Sequence, residues 1–280
     1  MKYAIQHGDI PKLAAALPPF PPVLRELLQV LEEDSSSLEA LVRIVRTDPV
    51  ISSAALSAAN RLRRIRAQSD VTDLFTAASI IGTSQLHRIA VTTGVNRFLS
   101  TGSNQLFFYE HSVAVAIIAQ ELAMLAGVSP GEAYTSGILH DIGQLAFYIA
   151  APDEYRELRG EYDRHGNLLT LEFQAFGRNH CELGYLLGQH WELPPAILQA
   201  IASHHQSGNG WKNRLHAIVN LAETLSNALD MPYSPHNRVR QVNSAALQYL
   251  GLRWESPEMG NLFARCRARF AYFSNHHPSL

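Results

Sequence analysis

The stretch Gly137-Ile138-Leu139-His140-Asp141-Ile142-Gly143 places an imidazole and a carboxylate side by side within an apolar helical pattern. The flanking aliphatic residues would bury such a helix, and they would carry the His140-Asp141 pair inward with it. Burial of two ionisable groups lowers stability unless the groups are paired or bound to a metal. The chain offers further partners of the same chemistry at His111, His180, His204 and His205. We therefore expect these side chains to converge in one pocket.

Histidine and carboxylate side chains together are typical ligands of divalent metals in hydrolytic sites. A metal held in this way turns water into hydroxide at neutral pH and clamps a phosphate. No single spacing in the chain matches a local metal motif such as His-Glu-x-x-His, so the indication comes from the whole set.

Simpler interpretations of these residues remain open. His140-Asp141 alone would be a buried hydrogen-bonded pair that fixes packing, and His204-His205 alone would be a helix C-terminal pair placed favourably against the helix dipole. The histidines without acidic or histidine companions are expected at the surface or in ordinary hydrogen bonds; they are His87, His165, His216 and His236.

Helical spacing and capping residues predict an all-α chain. Asp48-Pro49, Ser129-Pro130 and Asn179 each have the residue types of a helix start. Ser36, with Glu39 three residues later, predicts a capping box, and Thr72 is predicted to cap the helix that ends at Gly82.

The segment Arg61-Leu62-Arg63-Arg64-Ile65-Arg66 is predicted to be a loop that follows a helix ending at Asn60. One interpretation is a solvated loop whose arginines pair with neighbouring acids. The other is a local anion-binding or partner-binding patch, because arginine suits bidentate contacts with phosphate. A short basic loop without interleaved aromatic residues is weak support for nucleic-acid binding.

The small polar stretch Ser100–Asn104 predicts a boundary between two helical subdomains. The expected division is an N-terminal helical subdomain, 1–103, packed on a second helical bundle, 104–280, which includes a C-terminal helical extension.

The overall composition limits the classes of partner and compartment. A formal net charge of -2 and a pI near 6.7 give no general reason for nucleic-acid or anionic-membrane binding. The two cysteines, Cys181 and Cys266, cannot form a disulfide framework and fit a reducing compartment. The N-terminus lacks the apolar core of a signal peptide, and no uncharged apolar run is long enough to span a bilayer. These features predict a soluble, cytoplasmic protein.

The ordered motifs of residues 17 to 208 resemble the HDOD (HD-related output domain) branch of the HD superfamily of metal-dependent phosphohydrolases. The resemblance is carried by Leu17-Pro18-Pro19-Phe20-Pro21, Thr47-Asp48-Pro49-Val50 with Asn60, Ala78-Ser79-Ile80-Ile81-Gly82, His111-Ser112, Gly137 to Gly143, His180-Cys181-Glu182-Leu183-Gly184, and His204-His205. The resemblance implies an HD-like helical bundle in the second half of the chain.

The resemblance also adds a site residue, because the last metal-binding Asp of HD enzymes corresponds to Glu223 in this chain. The implied metal set is therefore His111, His140, Asp141, His180, His204, His205 and Glu223, with Fe, Mn, Ni or Zn as the candidate divalent ion. Whether the site is occupied stays open. No other cofactor and no catalytic residue is assigned.

The chain departs from the HD-GYP phosphodiesterases that cleave cyclic di-GMP. Those enzymes carry Lys where this chain has Gln144, and they carry a Gly-Tyr-Pro loop that is missing from this sequence. HDOD domains look like output or docking modules in bacterial signalling. The expected function is therefore non-catalytic signal transduction through a protein partner, and the alternative is a phosphohydrolase acting on a nucleotide or cyclic dinucleotide. A third, weaker alternative is a nucleotide or nucleic-acid adaptor that uses residues 61–66, although nucleic acid is not the expected partner and a membrane is excluded.

Overall fold

The computed structural model of the chain describes residues 5–17, 21–32, 37–99, 106–165, 167–206, 210–233 and 241–276. After a short 3-10 turn at His7–Asp9, the α-helices of this part of the chain are α1 (Ile10–Ala16), α2 (Pro22–Glu32), α3 (Leu38–Val45), α4 (Pro49–Ile65), α5 (Leu74–Ile81), α6 (Thr83–Leu99), α7 (Leu106–Ala126), α8 (Pro130–Leu139), α9 (Ile142–Ala150), α10 (Pro152–His165), α11 (Leu168–Phe176), α12 (His180–His190), α13 (Pro195–Ser203), α14 (Arg214–Ala228), α15 (Ser244–Leu250) and α16 (Pro257–His276). The described residues contain no strand, which confirms the predicted all-α class.

Three of the predicted helix starts have the expected side-chain caps. The Asp48 carboxylate accepts hydrogen bonds from the backbone N–H groups of α4, and the Ser129 hydroxyl accepts one at the start of α8. Asn179 and Glu182 form a reciprocal capping box on α12, so two N–H groups that lack helical partners are satisfied. This cap fixes where α12 begins, and His180 is its first residue.

Two other predicted caps are wrong by one residue. Ser37 caps α3 by accepting from the N–H of Ala40, whereas the predicted Ser36 lies outside the described residues. Asp73, rather than Thr72, caps α5. At both helix starts, two adjacent residues have side chains that can act as caps, and the second of the two occupies the N-cap position.

The predicted loop at residues 61–66 is a helix for most of its length, because α4 continues to Ile65. Arginine, leucine and isoleucine are all compatible with a helix, and no glycine or proline interrupts the segment. The chain leaves the helix at Ala67, whose φ is +53°. One predicted acidic partner is present: Arg64 donates two hydrogen bonds to the carboxylate of Asp70, and both side chains are exposed.

The chain divides into two compact units, Phe20–Thr101 (the small unit) and Met1–Pro19 with Gly102–Leu280 (the large unit). The predicted boundary between residues 103 and 104 lies outside the described residues. The division into two subdomains at this boundary therefore remains a prediction. Helix α1 groups with the large unit because it packs on α9 and α12, and the N–H of Ile5 donates to the carbonyl of Phe176.

The small unit buries the apolar faces of its five described helices against one another. Helix α4 packs on α5 and α6, and α2 packs on α3 and α6. Its fully buried side chains include Leu27, Ile44, Ile51 and Leu86. His87 is also buried, at 3% exposure.

Helix α7 lies at the centre of the large unit and packs against α8, α14 and α16. Its residues from Val113 to Ala119 are nearly all inaccessible to solvent. Gly137 allows α8 to approach closely, since a Cβ atom there would lie 2.6 Å from the Cα atom of Ala116. This approach brings the C-terminal end of α8 next to α7.

Within the described residues, no helix combines the length and apolar character that a membrane crossing requires.

Candidate metal centre

The His140-Asp141 pair lies at a break between two helices, where the sequence predicted a continuous helix. Helix α8 ends at Leu139 and α9 begins at Ile142, so His140 and Asp141 occupy the turn between them. Adjacent residues of one helix point about 100° apart. The turn removes this restriction, and both side chains reach the same cluster.

Two glycines bring this turn against the start of α12. A Cβ atom on Gly143 would lie 2.0 Å from the carbonyl oxygen of His180, and one on Gly184 would lie 3.2 Å from the backbone nitrogen of Gly143. Any larger residue at position 143 would therefore push α9 away from α12. The close packing of α9 on α12 brings Asp141 to His180.

Helix ends supply most of the remaining side chains. His180 is the first residue of α12, and His204 and His205 directly follow α13. His111 and Glu223 lie inside α7 and α14, two helices that pack against each other. Five separate segments of the chain thus meet at one place.

The first group of the cluster comprises Asp141, His180, His204 and His205, and their potential ligand atoms lie within 4.8 Å of one another. The Oδ1 atom of Asp141 is 3.2 Å from Nε2 of His180 and 3.2 Å from Nε2 of His204. His180 and His204 are fully buried, whereas His205 is exposed. Solvent therefore reaches this group from the side of His205.

The second group comprises Asp141, His111, His140 and Glu223. The Oδ2 atom of Asp141 is 3.3 Å from Nε2 of His140 and 3.8 Å from Nε2 of His111. The Oε2 atom of Glu223 is 2.8 Å from Nε2 of His111 and 3.3 Å from Nε2 of His140. Asp141 thus belongs to both groups and turns one oxygen toward each.

Hydrogen bonds on the far side of the rings set the tautomers of three histidines. Nδ1 of His140 donates to the carbonyl of Gly137 at 2.7 Å, and Nδ1 of His204 donates to that of Ile201 at 2.9 Å. Nδ1 of His180 donates to the carboxylate of Glu172 at 2.7 Å. In the neutral ring the proton is then on Nδ1, so Nε2 turns a lone pair into the cluster.

The cluster needs positive charge at its centre. The Nε2 atoms of His180 and His204 are only 3.3 Å apart, so the contact is favourable only where one of the two nitrogens carries a proton or both face a cation. Burial opposes a charged imidazole at His140, yet the carboxylates of Asp141 and Glu223 outweigh it and raise its pKa to about 10. Burial likewise opposes ionisation of Asp141, but His140 and its other histidine neighbours hold the pKa of that carboxyl well below its usual value.

The residues present fit a divalent metal. His140 Nε2, Asp141 Oδ1 and Glu223 Oε2 are buried and have no hydrogen-bond partner of acceptable geometry among the described residues. Metal–ligand bonds of about 2.0–2.2 Å put neighbouring ligands about 2.9–3.5 Å apart, which is the range of most of the distances above. Imidazole nitrogen and carboxylate oxygen are ligands for Fe, Mn, Ni and Zn alike, so the donor set does not select among them.

The structure brings together all seven predicted ligands, and their role in metal binding stays a prediction. Glu172, which the sequence did not mark, lies directly behind His180 and is fully buried. It is the only ionisable residue of α11, surrounded in sequence by leucine and phenylalanine, and this isolation is the signal that could have identified it. Asn220 was also missed; its amide donates to the carbonyls of His204 and Gln206 and so holds the turn after α13.

The remaining histidines differ from their predicted roles in one instance. His87 is buried, and its two ring nitrogens have no hydrogen-bond partner among the described residues, so the expected surface or hydrogen-bonded position is wrong. His216 is buried and its Nε2 donates to the carbonyl of Ser203, as expected of a hydrogen-bonded histidine. The side chain of His165 and the whole of His236 lie outside the described residues.

The model of the HDOD domain matches residues 17–207, which is more than half of the chain. The chain belongs to the HDOD family. A protein of Treponema pallidum (strain Nichols), itself uncharacterised, is 25% identical to this HDOD chain over 207 residues. The match covers 69% of this chain and 40% of that protein, so the chain spans less than half the length of this curated relative.

Solved structures share the fold of this HDOD chain. One, from Marinobacter aquaeolei VT8 and provisionally named a signal transduction protein, has a TM-score of 0.74 at 17% identity and covers 96% of this chain and 66% of its own. Another, from Shewanella amazonensis SB2B and provisionally named a phosphohydrolase, has a TM-score of 0.67 at 23% identity. This match covers 92% of this chain and 93% of the Shewanella chain. At these identities the likeness extends to the fold alone.

Proposed function

We propose that this HDOD chain is a non-catalytic signalling module whose large unit holds a two-position divalent metal centre. The observation that carries the metal centre is the position of Asp141, which presents one oxygen to each of two histidine groups. The first position would be held by Asp141 Oδ1, His180, His204 and His205, and the second by Asp141 Oδ2, His111, His140 and Glu223. The expected partner is a signalling protein, and a nucleotide would be the partner under the alternative function given below.

The proposed non-catalytic role follows from what surrounds the ligands. Gln144 is buried, and it replaces the lysine of the HD-GYP phosphodiesterases that this chain resembles. A glutamine does not carry the positive charge or the proton that a lysine brings to a phosphate. The provisional name of the Marinobacter neighbour supports a role in signal transduction, and the cytoplasm remains the expected compartment.

The test of the metal centre is elemental analysis of the purified chain after loading with Fe²⁺, Mn²⁺, Ni²⁺ or Zn²⁺ in turn. We expect close to two ions per chain for at least one of these metals, together with a higher melting temperature, because a ligand that binds only the folded state stabilises it. Asp141→Ala should retain neither ion. Asp153→Ala, which removes an exposed carboxylate on α10, is the matched control and should bind like the parent chain. A parent chain without bound metal after all four loadings would contradict the proposal.

The second candidate function is a metal-dependent phosphohydrolase, and the shared Asp141 favours it. Two divalent metals held by these residues would supply an activated water and a clamp for a phosphate. The exposed His205 leaves the first position open to solvent, and the Shewanella neighbour is provisionally named a phosphohydrolase. Turnover of cyclic di-GMP or of bis(p-nitrophenyl) phosphate by the metal-loaded chain, lost in Asp141→Ala, would select this function. We expect no turnover.

A further inference from the structure

Glu172 and Tyr155 form a buried pair behind the metal centre. The Oε2 atom of Glu172 accepts two hydrogen bonds from His180, one from its backbone N–H at 2.8 Å and one from Nδ1 at 2.7 Å. The Oε1 atom accepts the hydroxyl proton of Tyr155 at 2.6 Å. Glu172 and Tyr155 are both fully inaccessible to solvent, so water does not compete for these bonds.

His180 is supported differently from the other two buried ligands. Nδ1 of His140 and Nδ1 of His204 each donate to a backbone carbonyl, whereas Nδ1 of His180 donates to a carboxylate. A hydrogen bond to a carboxylate is stronger than one to a neutral carbonyl, and it makes the opposite ring nitrogen a more basic ligand. His180 is therefore the best-supported histidine among these three.

The Tyr155 hydroxyl limits how Glu172 can move. With both carboxylate oxygens engaged, the side chain is held in one rotamer, and the His180 ring is held with it. The aromatic ring of Tyr155 stacks on Phe147, and Phe147 stacks on Phe176, so the tyrosine itself is held by α9 and α11. The orientation of His180 is thus tied to the packed core.

We infer that Glu172 and Tyr155 are positioning residues for His180, and that they make the Asp141–His180–His204–His205 position the tighter of the two metal positions. The first ion would then fill this position before the second position, held by His111, His140 and Glu223, is occupied. The inference rests on the proposed metal centre. It adds the order in which the two positions fill and the residues that set that order.

The test is a titration of the metal-free chain with Co²⁺, followed by calorimetry and by the visible absorbance of the bound ion. The parent chain should bind in two steps. Glu172→Gln keeps the shape but removes the charge, and it should weaken the first step about 10- to 100-fold, the usual effect of losing such an outer partner, while the second step stays within about twofold. Tyr155→Phe should weaken the first step less, by severalfold.

Matched controls separate positioning from a general effect on folding. Glu157→Gln removes an exposed carboxylate from α10, and Tyr249→Phe removes the hydroxyl of a half-exposed tyrosine. Both should titrate like the parent chain. A Glu172→Gln chain with two unchanged steps, or with both steps weakened equally, would overturn the inference while the metal centre stands.

A readout without metal keeps the inference testable if the parent chain does not bind Co²⁺. Long-range ¹H–¹⁵N spectra of the histidine rings report which nitrogen carries the proton. In the metal-free parent chain the His180 ring should keep a protected Nδ1 proton, and this proton should exchange faster with solvent in Glu172→Gln and in Tyr155→Phe. Absence of Co²⁺ binding would reject the filling order, whereas the proposed metal centre is rejected only by failure of the Fe²⁺, Mn²⁺, Ni²⁺ and Zn²⁺ loadings. An Nδ1 proton that is unprotected in the parent chain would reject the positioning role by itself.

Discussion

Two buried histidines in different units show opposite responses to the same burial. His87 in the small unit has no hydrogen-bond partner for either ring nitrogen among the described residues, and burial lowers its pKa to about 4. His140 in the large unit is equally buried, yet Asp141 and Glu223 raise its pKa to about 10. Burial alone therefore does not determine the charge of a histidine. The neighbouring carboxylates decide it.

The two units also differ in the surroundings of their buried ionisable side chains. The large unit collects ionisable side chains at one point, where Asp141 and Glu223 each have an oxygen 3.3 Å or less from at least two histidine nitrogens. The small unit buries His87 without a hydrogen-bond partner among the described residues, and burial makes the neutral ring the stable form. The first arrangement raises the pKa of a buried histidine, and the second lowers it.

The largest expected effect comes from breaking the large-unit cluster. Asp141→Ala should lower the free energy of unfolding by about 3 kcal/mol or more, because it leaves buried histidines without their shared carboxylate. All three tryptophans lie in the large unit, so tryptophan fluorescence during urea unfolding measures this loss. Asp153→Ala should change the unfolding midpoint little, since its carboxylate is exposed. A parent-like midpoint for Asp141→Ala would show that the cluster does not stabilise the fold.

The next effect concerns the small unit and its dependence on pH. The His87 pKa is about 6.5 in the unfolded chain and about 4 in the folded chain, so the unfolded chain binds more protons between these values. The contribution of His87 to the free energy of unfolding is constant above pH 7 and falls by about 1.4 kcal/mol per pH unit as the pH drops from about 6.5 to 4, a loss of about 3 kcal/mol in all.

His87→Leu should remove that part of the pH dependence and should also stabilise the chain at pH 7 by about 1 kcal/mol, because an unsatisfied buried ring is replaced by an apolar side chain. Urea unfolding followed by circular dichroism at pH 7 and pH 5 measures both effects, since the small unit has no tryptophan. His190→Gln, at an exposed position on α12, should keep the pH dependence of the parent. Equal slopes for the parent and His87→Leu would contradict the assignment.

The smallest effect tests the length of the carboxylate at position 223. Glu223 reaches His111 at 2.8 Å, and Asp would withdraw the carboxylate by one methylene. Glu223→Asp should therefore weaken metal binding at the second position about tenfold, equivalent to about 1.4 kcal/mol, and leave the first position unchanged. Co²⁺ titration measures the difference between the two steps. A tighter second step would show that the shorter side chain suits the metal better than the native one.

Much of this architecture could be predicted from local sequence. The all-α class and the caps at Asp48, Ser129 and Asn179 follow from residue types that act within one turn of the chain. The C-terminal end of α4 was misplaced at Asn60, since arginine-rich segments suit both helix and loop. The break between α8 and α9 was missed because its residues, apart from His140 and Asp141, are apolar on both sides.

The ligand types could be predicted, but the geometry of the site could not. His140 and Asp141 stand out as ionisable residues among aliphatic ones, and the motif resemblance added Glu223. The division into two groups that share Asp141 depends on distances between five segments, which no local pattern encodes. The environment of His87 depends on which residues pack around its ring, and for the same reason its position was predicted wrongly from the sequence.

The dispersal of the ligands along the chain has a consequence for biosynthesis. The ligand segments begin at His111 and end at Glu223, and they meet only through helices that pack on one another. During translation the ribosome must therefore release α14 before the last carboxylate can join the others. A nascent chain that stops short of α14 carries the clustered histidines without Glu223, so the two groups of the cluster are complete only after α14 has been made.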